Sequence, residues 1–269
     1  SNLVCVPAVL PTGVTSLRAL FRSGTQINDP DIASWDVSNV TNMWNLFWGA
    51  SSFNQDISSW DVSSVTNMES LFNGAVSYNQ DISSWDVSNV ENMIGMFKDA
   101  SSFDQDISNW NVSSVSTMIA MFANATSFDQ DLSSWNVSNV SSMDNMFINA
   151  GLSPINYSNT LISWAQQNLQ SGVNFSGGNS KFYLGPALDA RELIISTYNW
   201  TIADAGPILP DQATFIVPNK VYVKDDFSIA VQLLENGVAY PYTGDIMLEL
   251  ASGIGNLSGT VNQSYTTSM

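Results

Sequence analysis

The sequence predicts an α/β solenoid followed by an antiparallel β module. A 25-residue sequence repeat, clearest at residues 53–77, occurs in at least five copies with its apolar positions in phase, which is the signature of a solenoid. Its tryptophan recurs at Trp35, Trp60, Trp85, Trp110 and Trp135. Its phenylalanine keeps the same step, at Phe47, Phe72, Phe97, Phe122 and Phe147. A single repeat cannot close a core, so neighbouring repeats are expected to stack.

The repeated region has irregular ends. Residues 1–13 are predicted to form an N-terminal cap, and residues 14–150 a solenoid of about six repeats whose first copy is degenerate. The period breaks at Gly151, so residues 151–206 are predicted to form a C-terminal cap. In this cap Asn159 is predicted to cap one helix and Pro186 to occupy the first turn of a second.

Within a standard repeat two periodicities alternate. Residues 57–63 alternate between an apolar side, with Trp60 and Val62, and a polar side, which is typical of a short strand buried on one face. Residues 65–72 place apolar side chains at i, i+3, i+6 and i+7, which predicts one stripe of a short helix. The phase of the tryptophans with the valines predicts that the indoles are buried.

Composition excludes several functions. Seven basic residues face 24 acidic ones, giving a net charge of −17, which disfavours nucleic-acid and anionic membrane partners. The chain has no histidine and a single cysteine, Cys5, so Ser–His–Asp triads, Cys–His pairs and histidine zinc sites are excluded. No apolar run approaches 18 residues, so no membrane span is predicted.

The repeat unit I-x-x-W-D-V-S-x-V-x-x-M-x-x-M/L-F-x-x-A-x-x-F resembles that of the BspA-family leucine-rich-repeat surface proteins of bacteria. The resemblance covers residues 14–150, and the sequence motifs NFSGGNS and NWTIADAG extend it into the C-terminal cap. It implies a leucine-rich-repeat-like fold with a parallel sheet on one side and short helices on the other. It also implies an extracellular or cell-surface location in a bacterium.

Residues 207–269 alternate apolar and polar residues between turn signals, which predicts an antiparallel sandwich. The wording FSIAVQLLENG resembles bacterial immunoglobulin-like modules of surface adhesins. The stretch is short for a complete sandwich, so an incomplete immunoglobulin-like module in a longer protein is expected.

Polar residues repeat with the same period and give the candidate sites. Outward positions of the predicted strands form one column, and Trp44 lies off the buried stripe; these are the candidate ligand-binding residues: Asp36, Asp61, Asp86, Asn111, Asn136 and Trp44. A second column precedes each strand, at Asp56, Asp81, Asp106 and Asp131. One hypothesis is that calcium bridges two of these carboxylates. The favoured alternative is that they cap turns, and no other cofactor is predicted.

These observations favour a non-catalytic cell-surface or secreted module for adhesion or ligand recognition, with the polar, acidic sheet face binding a protein or glycan. On this hypothesis Asp61→Ala and Asp86→Ala lose ligand without losing the fold. The alternative is a structural spacer, or a subunit of a surface filament or larger assembly. A third class, a carbohydrate-active enzyme, needs two carboxylates in unlike environments, whereas these carboxylates repeat identically.

Overall fold

A computed structural model describes residues 6–23, 27 and 29–208, together with the backbone of 233–235 and 238–240. The chain divides into two compact units, Ser1–Pro207 and Ile208–Met269. The first unit contains all of the 25-residue repeats. Each repeat forms one rung, and consecutive rungs are joined by parallel bridges at one position per repeat: Ser16, Asn42, Asn67, Asn92, Thr117 and Ser142.

One side of each rung is a run of tight turns whose backbone bonds alternate in direction. In the third rung the Met68, Ser70 and Phe72 N–H groups donate to carbonyls of the next rung, at 2.7–3.0 Å. The intervening N–H of Leu71 instead donates to the carbonyl of Met68, three residues back. Half of the backbone donors therefore close turns, and the other half tie one rung to the next.

The short helix predicted for residues 65–72 is therefore wrong. An α-helix directs every N–H to its own chain, and a helix of about two turns is costly to nucleate. Here the Asn67 side chain accepts a hydrogen bond from the Glu69 N–H, closing an Asx turn that competes with a helix. Ser70 and Gly74 have positive φ, 54° and 74°, which no α-helix contains.

The strand predicted for residues 57–63 is also replaced by turns. The Trp60 N–H donates to Ile57 and the Val65 N–H to Val62, so tight turns occupy both ends of this stretch. Here side chains reach from rung to rung. The Trp85 Nε1–H donates to the carbonyl of Ile57 at 3.2 Å.

Each tryptophan of the series makes this bond to the preceding rung. The equivalent donors are Trp35, Trp60, Trp110 and Trp135. The ladder continues into the C-terminal region through Trp164 and Trp200.

The core consists of stacked aromatic rings, and the prediction that the tryptophans are buried is confirmed. Trp60, Trp85 and Trp110 are each 3% exposed. Along the phenylalanine series the ring centroids are 5.3–5.7 Å apart and nearly parallel. A second stack, one ring per rung, runs beside it through Phe53, Tyr78, Phe103 and Phe128. Offset stacking of this kind adds to the free energy of burying the rings.

Both ends of the stack carry irregular structure. A 3-10 helix, Pro30–Ser34, follows the first rung, with the Asp29 carboxylate accepting from the Asp31 N–H. After the last rung come α1 (Pro154–Trp164), β1 (Asn174–Ser176), α2 (Pro186–Tyr198) and β2 (Thr201–Ala203). β1 and β2 pair in parallel, and the Phe147 N–H donates to Ser176 in β1, continuing the ladder.

One of the two predicted helix starts differs from the start in the structure. The start at Pro186 is confirmed. The cap at Asn159 is wrong because α1 begins at Pro154, five residues earlier. Asn159 lies inside the helix, and its Nδ2 donates to the Asp131 carboxylate of the last rung at 3.0 Å. The side chain therefore fastens α1 to the stack instead of capping it.

In the second unit, β3 (Leu233–Glu235) pairs antiparallel with β4 (Val238–Tyr240). The predicted immunoglobulin-like sandwich over 207–269 otherwise lies outside the described residues, as do Cys5 and the first part of the predicted N-terminal cap.

Candidate ligand-recognition face

The first predicted column is exposed and lies on one side of the rungs. We call its five residues, Asp36, Asp61, Asp86, Asn111 and Asn136, the polar face. Each side chain folds into an Asx turn with the serine two residues later. The Asp61 Oδ1 accepts from the Ser63 N–H at 3.1 Å and from the Ser63 hydroxyl at 2.6 Å. One carboxylate oxygen is therefore held by the turn, and no hydrogen bond from a described residue reaches Oδ2.

Local hydrogen bonds favour the ionised form of Asp36 and Asp86. The Ser38 hydroxyl and then the Ser38 N–H lower the pKa of Asp36. The Ser88 hydroxyl and N–H do the same for the pKa of Asp86. A hydrogen bond donated to a carboxylate favours its charged form. These two positions of the polar face therefore carry negative charge at physiological pH.

The polar face changes charge along the stack without changing its geometry. Asn111 accepts from the Ser113 N–H at 3.2 Å, and Asn136 from the Ser138 N–H at 3.1 Å. The backbone N–H two residues later donates in the same way to Asp61 and Asp86, but here the acceptor is an amide oxygen. Asparagine thus closes the same turn with no charge, and the two residue types separate the structural role from the electrostatic one.

Neighbouring polar side chains on this side are occupied by bonds between rungs. The Ser84 hydroxyl donates to Ser58, and the Asn89 amide donates to the carbonyl of Ser63 at 2.8 Å. The Thr66 hydroxyl donates to Thr41. These groups stabilise the stack, which holds the carboxylates of the polar face in fixed positions.

The second predicted column, Asp56, Asp81, Asp106 and Asp131, caps turns. Each Oδ1 accepts from the N–H two residues later, at 2.8–3.0 Å. The Ser58 N–H lowers the pKa of Asp56, and repulsion from Asp81 is the smallest of the opposing causes. Among residues 6–23, 27 and 29–208 no group of three or more cysteine, aspartate or glutamate side chains is arranged to hold a metal ion.

A third polar ladder was not identified from the sequence. The N–H of the equivalent residue in each rung donates to the side chain of the preceding one, at 2.9–3.0 Å, through Asn54, Asn79, Asp104 and Asp129. The ladder ends where the Ser153 N–H donates to Asp129. The signal was present, because this residue stands three positions before Ile57 and its equivalents in every repeat.

Trp44 lies apart from the polar face, and the structure does not bring it together with the aspartate column. It is half-buried, with the guanidinium of Arg18 over its ring, 3.8 Å from the centroid. Arg22 lies over Trp48 in the same way, at 4.5 Å. Sequence reasoning singled out Trp44 and missed its arginine partner. The signal was the spacing, because Arg18 precedes Trp44 by the same 26 residues that separate Phe21 from Phe47.

Comparison with known proteins assigns the repeats to a family but gives them no activity. No helix in the described part of the chain has the length and apolar character needed to cross a bilayer. No curated protein and no solved structure matches the chain. A family model matches residues 15–110 and 91–182, which together span more than half of the chain and most of the stacked rungs. The chain therefore belongs to the family described as "Mycoplasma protein of unknown function, DUF285".

Proposed function

We propose that the repeats form a leucine-rich-repeat-like solenoid that serves as a non-catalytic recognition module on a bacterial surface or outside the cell. The observation that carries the proposal is the column of exposed carboxylates in the polar face, each fixed by an Asx turn. Pre-organised side chains lose little conformational entropy on binding. A regular row of fixed negative charges suits a cationic partner surface.

The test separates the charge of the polar face from its structure. Asn111 and Asn136 close the same turn as the aspartates, so Asp61→Asn with Asp86→Asn removes two charges and keeps the turns. Asp→Ala would remove the turn bonds as well. A matched control, Asp189→Asn with Glu192→Gln, removes two charges from exposed positions of α2.

A labelled hexa-arginine peptide, titrated in fluorescence anisotropy, is the probe. We expect the polar-face variant to bind it at least about tenfold more weakly than the control, with both melting midpoints unchanged. Equal losses in the two variants would mean that binding follows net charge alone, and the polar face would then not be the recognition surface.

Calcium stays a hypothesis for the Asp56 column. The capping bonds use one oxygen of each carboxylate, whereas calcium takes six to eight oxygen ligands. If calcium bridges two rungs, the melting midpoint rises in millimolar calcium and falls with chelator. An identical midpoint in both solutions would dismiss this hypothesis.

The spacer or assembly-subunit alternative is favoured by one observation. Large apolar side chains are exposed around the C-terminal cap, with Ile148 42%, Ile155 52% and Leu193 45% exposed. If they form a subunit contact, sedimentation shows an oligomer that Ile155→Ser with Leu193→Ser dissociates. The recognition proposal instead predicts one sedimenting species whatever the residues at these positions.

A further inference from the structure

Two arginines of the first rung are stacked on tryptophans of the second. The chain has only seven basic residues, so two in one rung stand out against the net charge of −17. The guanidinium carbons of Arg18 and Arg22 lie 3.8 Å and 4.5 Å from the ring centroids of Trp44 and Trp48. We call these four residues the Arg–Trp patch.

The backbone ladder sets this pairing. The Ala19 N–H donates to the carbonyl of Trp44 at 2.8 Å, so Arg18 and Trp44 are held one rung apart in register. The later rungs stack by the same ladder with other residues at the two positions, for example Glu69 and Asn73 in the third rung. The patch is therefore not required for rungs to stack, and it needs another explanation.

Within residues 6–23, 27 and 29–208, neither Arg18 nor Arg22 makes a side-chain hydrogen bond or an ion pair to another described residue. Arg191 shows the contrast, because it bonds the Asp204 carboxylate at 2.8 Å and the carbonyl of Ile202 at 3.1 Å. A cation–π contact of this kind does not use the guanidinium N–H groups as hydrogen-bond donors to a polar atom. The guanidinium fork matches the two oxygens of a carboxylate.

An apolar cavity of about 450 Å³ lies against the same first rung, although none of the four patch residues lines it. Leu20, midway in sequence between the two arginines, is 52% exposed and lines it. The rest of its lining is largely aliphatic and includes Leu10 and Val14. A rung that carries two cationic forks and also borders an apolar cavity at Leu20 fits a protein segment with an apolar side chain between two acidic ones. A free phosphate has no apolar group to place there, and a polysaccharide has no flexible aliphatic side chain that could enter a cavity.

We propose that the Arg–Trp patch is a binding site for an acidic segment of a partner protein, with one carboxylate on each guanidinium and an apolar side chain in the cavity beside Leu20. The site is distinct from the polar face and has the opposite charge. The net field of the chain repels anions, so an anion that binds here has to be held by local geometry.

The probe is the labelled peptide acetyl-Glu-Gly-Leu-Gly-Glu-amide, titrated in fluorescence anisotropy against the full chain. Arg18→Lys with Arg22→Lys keeps both charges and removes the planar forks, and we expect it to weaken binding at least about tenfold. Lys98→Gln with Lys181→Gln removes two positive charges elsewhere and is expected to bind like the unaltered chain. Melting midpoints show whether each variant is folded.

The outcomes separate the explanations. Binding that survives Arg18→Lys with Arg22→Lys would reduce the site to simple charge attraction and overturn the proposal. If a peptide with glycine in place of leucine binds equally well, the cavity is not part of the binding site, and that part of the proposal is overturned. Arginine-dependent binding of dextran sulfate, with no binding of the peptide, would assign the patch to a sulfated polymer and also overturn it. Asp61 and Asp86 are intact in all these variants, so failure here leaves the polar-face proposal standing.

Discussion

Tyr78 offers a direct test of how the aromatic stack is built. Its ring takes the place of phenylalanine in the second stack, between Phe53 at 5.6 Å and Phe103 at 6.3 Å. Its hydroxyl is buried and has no hydrogen-bond partner among the described residues. Burial, then the charges of Asp56 and Asp81, raise the pKa of Tyr78 well above its usual value.

Tyr78→Phe removes that hydroxyl and leaves a ring that other rungs already accommodate. An unsatisfied buried polar group costs about 1–3 kcal/mol. The void left by one oxygen atom costs a few tenths of a kcal/mol, at about 24 cal/mol per Å³. The variant is therefore expected to be about 1–2 kcal/mol more stable, which raises the melting midpoint by roughly 3–6 °C for a unit of this size.

Thermal and urea unfolding followed by tryptophan fluorescence measure this difference. The reciprocal change, Phe103→Tyr, puts a hydroxyl at the equivalent position of the next rung and should lower stability by about 1–3 kcal/mol. If Tyr78→Phe instead destabilised the chain by 1 kcal/mol or more, the hydroxyl would have a bonded partner, and the reasoning from burial would be refuted.

Three further expectations follow from the structure. Burial raises the pKa of Tyr78 and Tyr157, so each tyrosine contributes its full stabilisation below pH 10, the ordinary pKa of tyrosine. Above pH 10 the free energy of unfolding falls by about 1.4 kcal/mol per pH unit for each of them. Urea midpoints measured from pH 9 to 11 should therefore fall less steeply in Tyr78→Phe. Gly178 has a φ of +62°, and an added Cβ would overlap the carbonyl of Phe147, so Gly178→Ala should lower stability by about 3 kcal/mol or more in melting experiments. Gly172 is the matched control, because it has a φ of +76° but open space around it, and Gly172→Ala should lower stability by only about 1–2 kcal/mol. A peptide of residues 53–77 should show no folded signal in circular dichroism, because its ladder partners lie in other rungs; a folded spectrum would contradict this.

The sequence predicted which side chains face the core. A fixed period aligns equivalent residues, and apolar spacing selects the buried side of each rung, so Trp60 and Phe72 could be placed without coordinates. Both are buried, at 3% and 0% exposure. The positions of the polar columns follow from the same period.

The backbone path was not predictable from apolar spacing alone. Val65, Met68 and Leu71 recur every three residues, a spacing shared by a helix and by a run of tight turns. The distinguishing signal lay in the polar residues between them. Asn67 is suited to an Asx turn, and glycine recurs where φ is positive, as at Gly74. The prediction of a helix over residues 65–72 follows the amphipathic spacing and overlooks the turn chemistry of Asn67.

The Arg–Trp patch was missed for a different reason. Arg18 and Arg22 belong to the degenerate first repeat, whose residues stand 26 positions before their equivalents in the second repeat instead of 25, so one residue is inserted between them. A cation–π pair between rungs also leaves no periodic trace, because it occurs only where arginine in one repeat meets tryptophan in the next. Such a contact is visible only after the rungs are aligned.

Charge is distributed unevenly along the stack, and this bears on the proposed recognition role of the polar face. The polar face is charged in its first three rungs and neutral at Asn111 and Asn136. The ladder from Asn54 to Asp129 has the reverse order, neutral at Asn54 and Asn79 and charged at Asp104 and Asp129. In both ladders asparagine and aspartate accept the same backbone hydrogen bonds, so folding alone does not choose between them. Solubility would be served equally by either order, whereas a cationic ligand held by the polar face would lie over the rungs of Asp36, Asp61 and Asp86.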